Sequence, residues 1–494
     1  MLSPILKESW NYTTAAHLLN RAGFGGSPAD VDRLVELGPR AALNSLLDFD
    51  QIPDPTPNPD WAKPDPERAE RLLKARQADA DTRRQIQQEE QRTQRQHLID
   101  LKFWWLQRMA LGPRPLQEKM TLFWHGHFAT SMEKVRDAYL MWRQNDLFRR
   151  HALGNWRTFL TAVAQDPAML VWLDQAQSRR EHPNENFARE LMELFTLGEG
   201  HYTEKDVTEA ARALTGWSFD RSTQEFVDRP RQHDGGIKTF LGRTGHLQGA
   251  DIIAQIVAQP QADRFIVAKL WNFFAGQEPS GELTTALAGV FRESGHEFKP
   301  LLETLLGCAG FYAPAIIRGQ IKSPVQWLVS SVRMLERPLP GPFICLGLTR
   351  NLGQDLFAPP NVKGWDGGLS WITTNNLLAR YKEAAVLVQG DPALLRNLNL
   401  GGPAAAPGQP PGPTNRPDAP RLFAVEPEKI LTPEERADKT KLVAALEKRL
   451  LQSPLRGQQQ ATLHEYLDGQ RKLDKNVILN TIRLIMSTPE YQLT

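Results

Sequence analysis

Apolar residues return every three or four positions through one segment after another, and strand-like alternation is confined to a single short stretch. Residues 13–48 read as two short helices. Thr13 or Thr14 suits the first cap, Ala15, Leu18 and Leu19 form its apolar stripe, and Gly23 ends it. Ser27 opens the second, with Asp30 three residues on as a variant capping box. Further helices are predicted over 116–128, 133–150, 155–165 and 184–197. Thr203 caps another at 204–215, with Asp206 three residues on and Gly216 past its end. Helices then resume at 249–276, 281–293, 297–306 and 322–336, and again at 432–453, 458–470 and 473–487. Between them, 224–247 carries Gly pairs and short β-compatible pieces. The pattern predicts a mainly α fold: a large, multi-helix, bundle-like body with a small β-hairpin insertion near 224–247.

At 494 residues the chain exceeds what one core usually serves. Residues 1–51 read as an N-terminal helical segment. The 52–111 stretch reads as a proline-rich connector followed by one long helix from about Pro66 to Leu111, charged nearly all round in its first half. A main helical body spans 112–400, a Pro/Gly-rich linker 401–424 and a helical tail 425–494. With 59 basic against 57 acidic side chains, the net charge of +2 gives no general pull toward nucleic acid or an anionic membrane. Cys308 and Cys345 sit in apolar runs and read as buried small hydrophobes. No run is long and apolar enough for a spanning helix, and the first residues lack a basic and then apolar export signal. The chain as written is therefore expected in the cytoplasm, with an exported, processed form left open.

Eight blocks follow one another in a recognisable order: AAHLLNRAGFGG (15–26), LFWHGHFAT (122–130), HPNENFARELMELFTLGEGHYTEKDVTEAARALTGW (182–217), HDGGIKTFLGRTG (233–245), ADRFIVAKLWNFFAG (262–276), KSPVQWLVSSVRML (322–335), LGQDLFAPPNVKGWDGG (352–368) and LIMSTPEYQLT (484–494). In that order they resemble the signature blocks of the bacterial domain of unknown function 1800 family, over nearly the whole chain. The resemblance implies no settled activity. It does imply either a protein partner from, or a pathway shared with, the domain of unknown function 1501 family, itself similar to the alkaline phosphatase and sulfatase superfamily. Many relatives look exported, and this chain departs from them in lacking an evident signal.

The helix around 185–197 carries the most suggestive chemistry. Phe187, Leu191 and Leu194 share a face, and Glu190 lies one turn from both Phe187 and Leu194. A carboxylate placed there must be paired, protonated or metal-bound, since burying a bare charge costs several kcal/mol. Glu193 is its neighbour one turn on, and Arg189 stands four residues from both Glu185 and Glu193. An ion-pair net could occupy those two and leave Glu190 without a partner in its own helix. His125 and His127 flank Gly126. On a continuous helix they diverge by about 200°, whereas a break at the glycine would let both converge. His233 and Asp234 precede two glycines in a turn, where both can ligate, although Asp-Gly-Gly is also an ordinary turn former. His201 sits between two helices, Glu209 and Arg212 can pair with each other, and Asn186 extends the polar set.

Two functions follow. A metal-dependent hydrolase would use His125, His127, Glu190 and His233 as ligands of a divalent transition metal. Glu190, Glu193 and Asp234 would act as acid–base groups, with Asn186, Arg189, His201, Glu209 and Arg212 around them. Alternatively, the same groups form a buried network that fixes helix register in a non-catalytic scaffold or partner protein. The loop at 359–368, rich in Trp, Asn and Asp, reads either as a packed Ω-loop or as a sugar or peptide contact. No nucleophile elbow, phosphate loop, dinucleotide fingerprint or HExxH motif occurs.

Overall fold

Local capping chemistry sets most helix starts. In the computed structural model, which describes residues 2–390 and 424–494, Asn11 opens α1 (Tyr12–Arg21) by accepting from the backbone of Thr13 and Thr14. The expected threonine cap is thus displaced by two or three positions, because Thr14 answers as the far half of a capping box. Ser27 and Asp30 box α2 (Pro28–Leu47), which kinks where Gly38 adopts φ 76° ahead of Pro39. The single helix expected over 66–111 is instead two, α3 (Arg68–Gln77) and α4 (Ala80–Leu111). Ala78 is extended at the break, and Asp79 caps the second helix through Thr82 N at 2.8 Å. A helix charged on all sides has no packing to carry it across such a competing cap.

The next elements are α5 (Pro115–His127), α6 (Met132–Val135), α7 (Ala138–Arg150), α8 (Trp156–Ala164) and α9 (Pro167–Trp172). The helix expected over 133–150 is broken at Arg136, whose φ is 55°, so that Asp137 can cap α7. Then come α10 (Glu185–Glu193) and α11 (Glu204–Ala213). Two antiparallel hairpins follow where one was expected. They pair β1 (Trp217–Phe219) with β2 (Phe226–Asp228), and β3 (Lys238–Phe240) with β4 (Arg243–Gly245). The first begins upstream of the anticipated stretch. Pro260 splits the helix expected over 249–276 into α12 (Gly249–Val257) and α13 (Pro260–Ala275). The described chain continues with α14 (Gly281–Glu293), α15 (Phe298–Gly307), α16 (Pro324–Met334), α17 (Pro342–Asn351) and α18 (Thr374–Gln389). It closes with α19 (Pro427–Ile430), α20 (Pro433–Ala437), α21 (Lys439–Leu446), α22 (Gly457–Asp468) and α23 (Lys475–Met486). The linker expected over 401–424 lies outside the described residues but for its last position.

These helices bury two apolar cores. The first gathers α1, α2, α5, α8 and α10–α15; inside it Trp124 and Trp156 stack at 6.0 Å with planes 17° apart. Phe159 and Phe298 meet Trp124 edge-on at 4.8 and 5.0 Å. The second gathers α4, α7, α16–α18 and the C-terminal helices. A buried polar seam joins them. Arg21 donates to the carbonyls of Phe274 and Ile316 at 3.0 and 2.8 Å, Asn20 donates to Gln452, and Lys119 donates to Gln326. Beside it, buried Glu118 on α5 accepts from Arg108 of α4, Arg149 of α7 and the Trp105 indole at 2.7, 2.7 and 2.8 Å. One carboxylate therefore ties three helices. Cys308 and Cys345 are both buried, each thiol facing a carbonyl of its own segment. Among the described residues, no helix is long and apolar enough to cross a membrane.

Candidate functional site

Asn184 caps α10, accepting from Asn186 N and Phe187 N while its amide donates to Leu173 O at 2.7 Å. Phe187, Ala188, Leu191 and Met192 form the buried face. Glu190 lies at the margin of that face and is half-buried. Among the described residues its carboxylate makes no hydrogen bond or ion pair. Burial holds its pKa above the usual carboxylate range, Glu193 adds to the shift, and the Lys363 ammonium opposes it. Glu193 accepts from the Tyr202 hydroxyl at 2.9 Å. Arg189 ignores Glu185 and Glu193 and instead grips Glu204 of α11 with two bonds of 2.7 Å. Glu185 accepts from Thr208 at 3.0 Å. The carboxylates expected to share Arg189 thus stitch α10 to α11. Asn186 and His201 are exposed.

Arg212 is a second hub. It pairs with Asp234 through Nε at 2.7 Å and with Glu209, one turn back, at 2.9 Å. Glu209 also accepts from Thr239 N at 3.1 Å, and Asp206 accepts from Leu241 N at 2.8 Å, so α11 pins β3 and its turn. Hydrogen bonding to Arg212 draws the Asp234 carboxyl below its usual range. His233 approaches Thr215 O through Nδ1 at 3.0 Å, as a donor to that carbonyl.

The two histidines of the WHGH stretch sit on the last turn of α5, which runs unbroken through Gly126, so they diverge. His125 is buried, and its Nε2 accepts from Phe357 N at 3.0 Å. It packs against Trp105, Phe357 and Trp365. His127 donates from Nε2 to Phe195 O at 3.0 Å, among Phe123, Trp124 and Phe128. Burial pulls both down to a pKa of about 3, so each is neutral and committed to a main-chain partner. The loop after α17 closes over this turn. A Cβ at Gly364, whose φ is 82°, would lie 2.4 Å from Gly126 O.

Three segments therefore meet: the end of α5, the second half of α10 and the 355–368 loop. They bring Glu190 toward Lys363, whose role nothing local in the sequence signalled. Asp234 stands apart on Arg212 and His233 on the Thr215 carbonyl, and among the described residues the anticipated convergence of His125, His127, Glu190 and His233 is not formed. The reason is local. A continuous helix sends the two α5 imidazoles to opposite sides, and main-chain groups claim a nitrogen of each. Among the described residues, no group of three or more His, Cys, Asp or Glu side chains is arranged to hold a metal ion. The chemistry left in place is a half-buried carboxyl whose pKa burial raises, within the electrostatic reach of Lys363, and a set of interhelical ion pairs.

The sequence profile of one family, described as Protein of unknown function (DUF1800), matches residues 17–493. No curated protein matches the chain. No solved structure matches it either. The match to the profile is nearly end to end, and the chain belongs to the DUF1800 family.

Proposed function

We propose that the chain is a non-catalytic helical scaffold, and that its polar constellation sets the register of α10, α11 and the loops they hold. The observation carrying this reading is internal commitment. His125, His127 and His233 each spend a ring nitrogen on the main chain, and Arg189, Glu193, Glu209, Arg212 and Asp234 bond to side chains of their own chain. Such closed networks order a fold and leave few valences for a substrate. A scaffold of this kind would serve a phosphatase- or sulfatase-like partner of the domain of unknown function 1501 type. Metal analysis of purified protein, run beside unfolding curves, tests the proposal. Metal-free protein whose stability shifts in Glu190→Gln supports it. Stoichiometric metal, lost together in His125→Ala and Glu190→Ala variants that stay folded, would restore the metallohydrolase.

A second reading, acid–base hydrolysis by Glu190 and Glu193, is favoured by the raised pKa of an unbonded Glu190. It requires turnover of a chromogenic glycoside, ester or phosphate that Glu190→Gln abolishes without unfolding. A panel on which wild type and variant are equally inert removes it.

A further inference from the structure

A cleft of about 1100 Å³ lies between α3 and the β1–β2 hairpin, floored by α6, α7 and α9. Its walls carry five arginines and one lysine against three aspartates, an imbalance the whole chain does not share. The aspartates are already engaged. Asp137 pairs with Arg68 at 2.9 Å, and Asp174 pairs with Lys134 at 2.8 Å. Asp220 accepts from Ser222 N and Thr223 N at 2.7 and 3.0 Å, as the turn of the hairpin requires. That leaves Arg76, Arg179 and Arg221, whose guanidinium groups make no hydrogen bond or ion pair among the described residues. Among the described residues Arg229 reaches only the Phe219 carbonyl, at 3.5 Å.

We propose that this cleft binds an extended, multiply charged anion carrying phosphate, sulfate or carboxylate groups. Guanidinium forks match those oxyanions in pairs, and an uncompensated cluster of them repels itself until an anion enters. Leu140, Leu170 and Phe219 give the cleft a buried apolar floor, which focuses the field of the arginines. The volume suits several linked charged groups better than one small ion. This site is independent of the scaffold reading, since none of its residues belongs to the α5, α10 or 355–368 segments.

Calorimetric titration with three probes tests it: inorganic tripolyphosphate, a sulfated heparin-type tetrasaccharide and trigalacturonate. Wild type should bind at least one, and the probe that binds identifies the oxyanion. The triple variant Arg76→Glu, Arg179→Glu, Arg221→Glu should weaken that binding by about tenfold or more. A control triple with the same charge change at exposed positions elsewhere, Arg33→Glu, Arg40→Glu, Arg157→Glu, should change it by less than about twofold. Should charge reversal disturb α3, the corresponding Arg→Gln triple provides the same comparison. Failure of all three probes to bind, or equal loss in both triples, overturns the proposal.

Discussion

His125 offers the sharpest test of how this fold handles its polar interior. The ring is buried and accepts from Phe357 N, so the folded state refuses a proton until the pH nears 3, whereas an unfolded histidine takes one up near 6.5. A depressed pKa stabilises the fold above the unfolded value, and that contribution is lost as the pH falls toward the folded one. Each pKa unit is worth about 1.4 kcal/mol, so acidification from about pH 7 to about pH 4.5 should remove about 2.5 kcal/mol through this one ring. Other groups titrate over the same range. The measurement is therefore a difference: urea unfolding of wild type and His125→Gln in parallel across those pH values. Glutamine keeps an acceptor for Phe357 N and does not titrate, so the gap between the two proteins should close, and could invert, by about 2.5 kcal/mol on acidification. Parallel stability curves would refute the argument, because they would mean that the ring titrates normally and is not held neutral by burial.

Three further outcomes are expected. Glu118→Gln should cost about 3–5 kcal/mol in chemical denaturation, because it leaves Arg108 and Arg149 buried around a neutral group; a loss under about 1 kcal/mol would mean that neighbouring acceptors suffice. Gly364→Ala should destabilise by about 1–3 kcal/mol, since its Cβ would press on Gly126 O and its φ is positive; an unchanged melting temperature would show that the loop can lift. Glu383, fully buried and pushed up to about 9, binds a proton that the unfolded chain releases near 4.5, so stability falls as pH rises between those values. Glu383→Gln escapes this, and its advantage over wild type should grow by about 1.4 kcal/mol per pH unit between about pH 5 and 8, with a pH-independent difference counting against the burial argument.

The sequence disclosed what local chemistry writes. Ser27 with Asp30 and Thr203 with Asp206 are capping boxes where they were read, and the Asn184 cap needed only its immediate neighbours. Breaks were harder. At Asp79 and Asp137 a cap wins over helical continuity, and periodicity averages across both. The candidate site was least legible because its partners are remote. His127 bonds 68 residues away and His125 232 residues away, both to main-chain atoms whose side chains carry no hint of the role. Arg189 chose Glu204 on a neighbouring helix over two carboxylates on its own, a choice that depends on how α10 and α11 pack. Glu190 read as inward-facing from its spacing, yet the buried face centres on Phe187, Ala188, Leu191 and Met192 and leaves it at the rim.

The stacked Trp124 and Trp156 give one half of the molecule an optical signature of its own. Two indoles held this close with nearly parallel planes couple their electronic transitions, so circular dichroism should carry a paired band that vanishes once their spacing is lost. The indoles of the other core, Trp105 and Trp327 among them, form no such stack among the described residues. Following that band against overall helicity during denaturation would therefore show whether the two cores melt together or in succession.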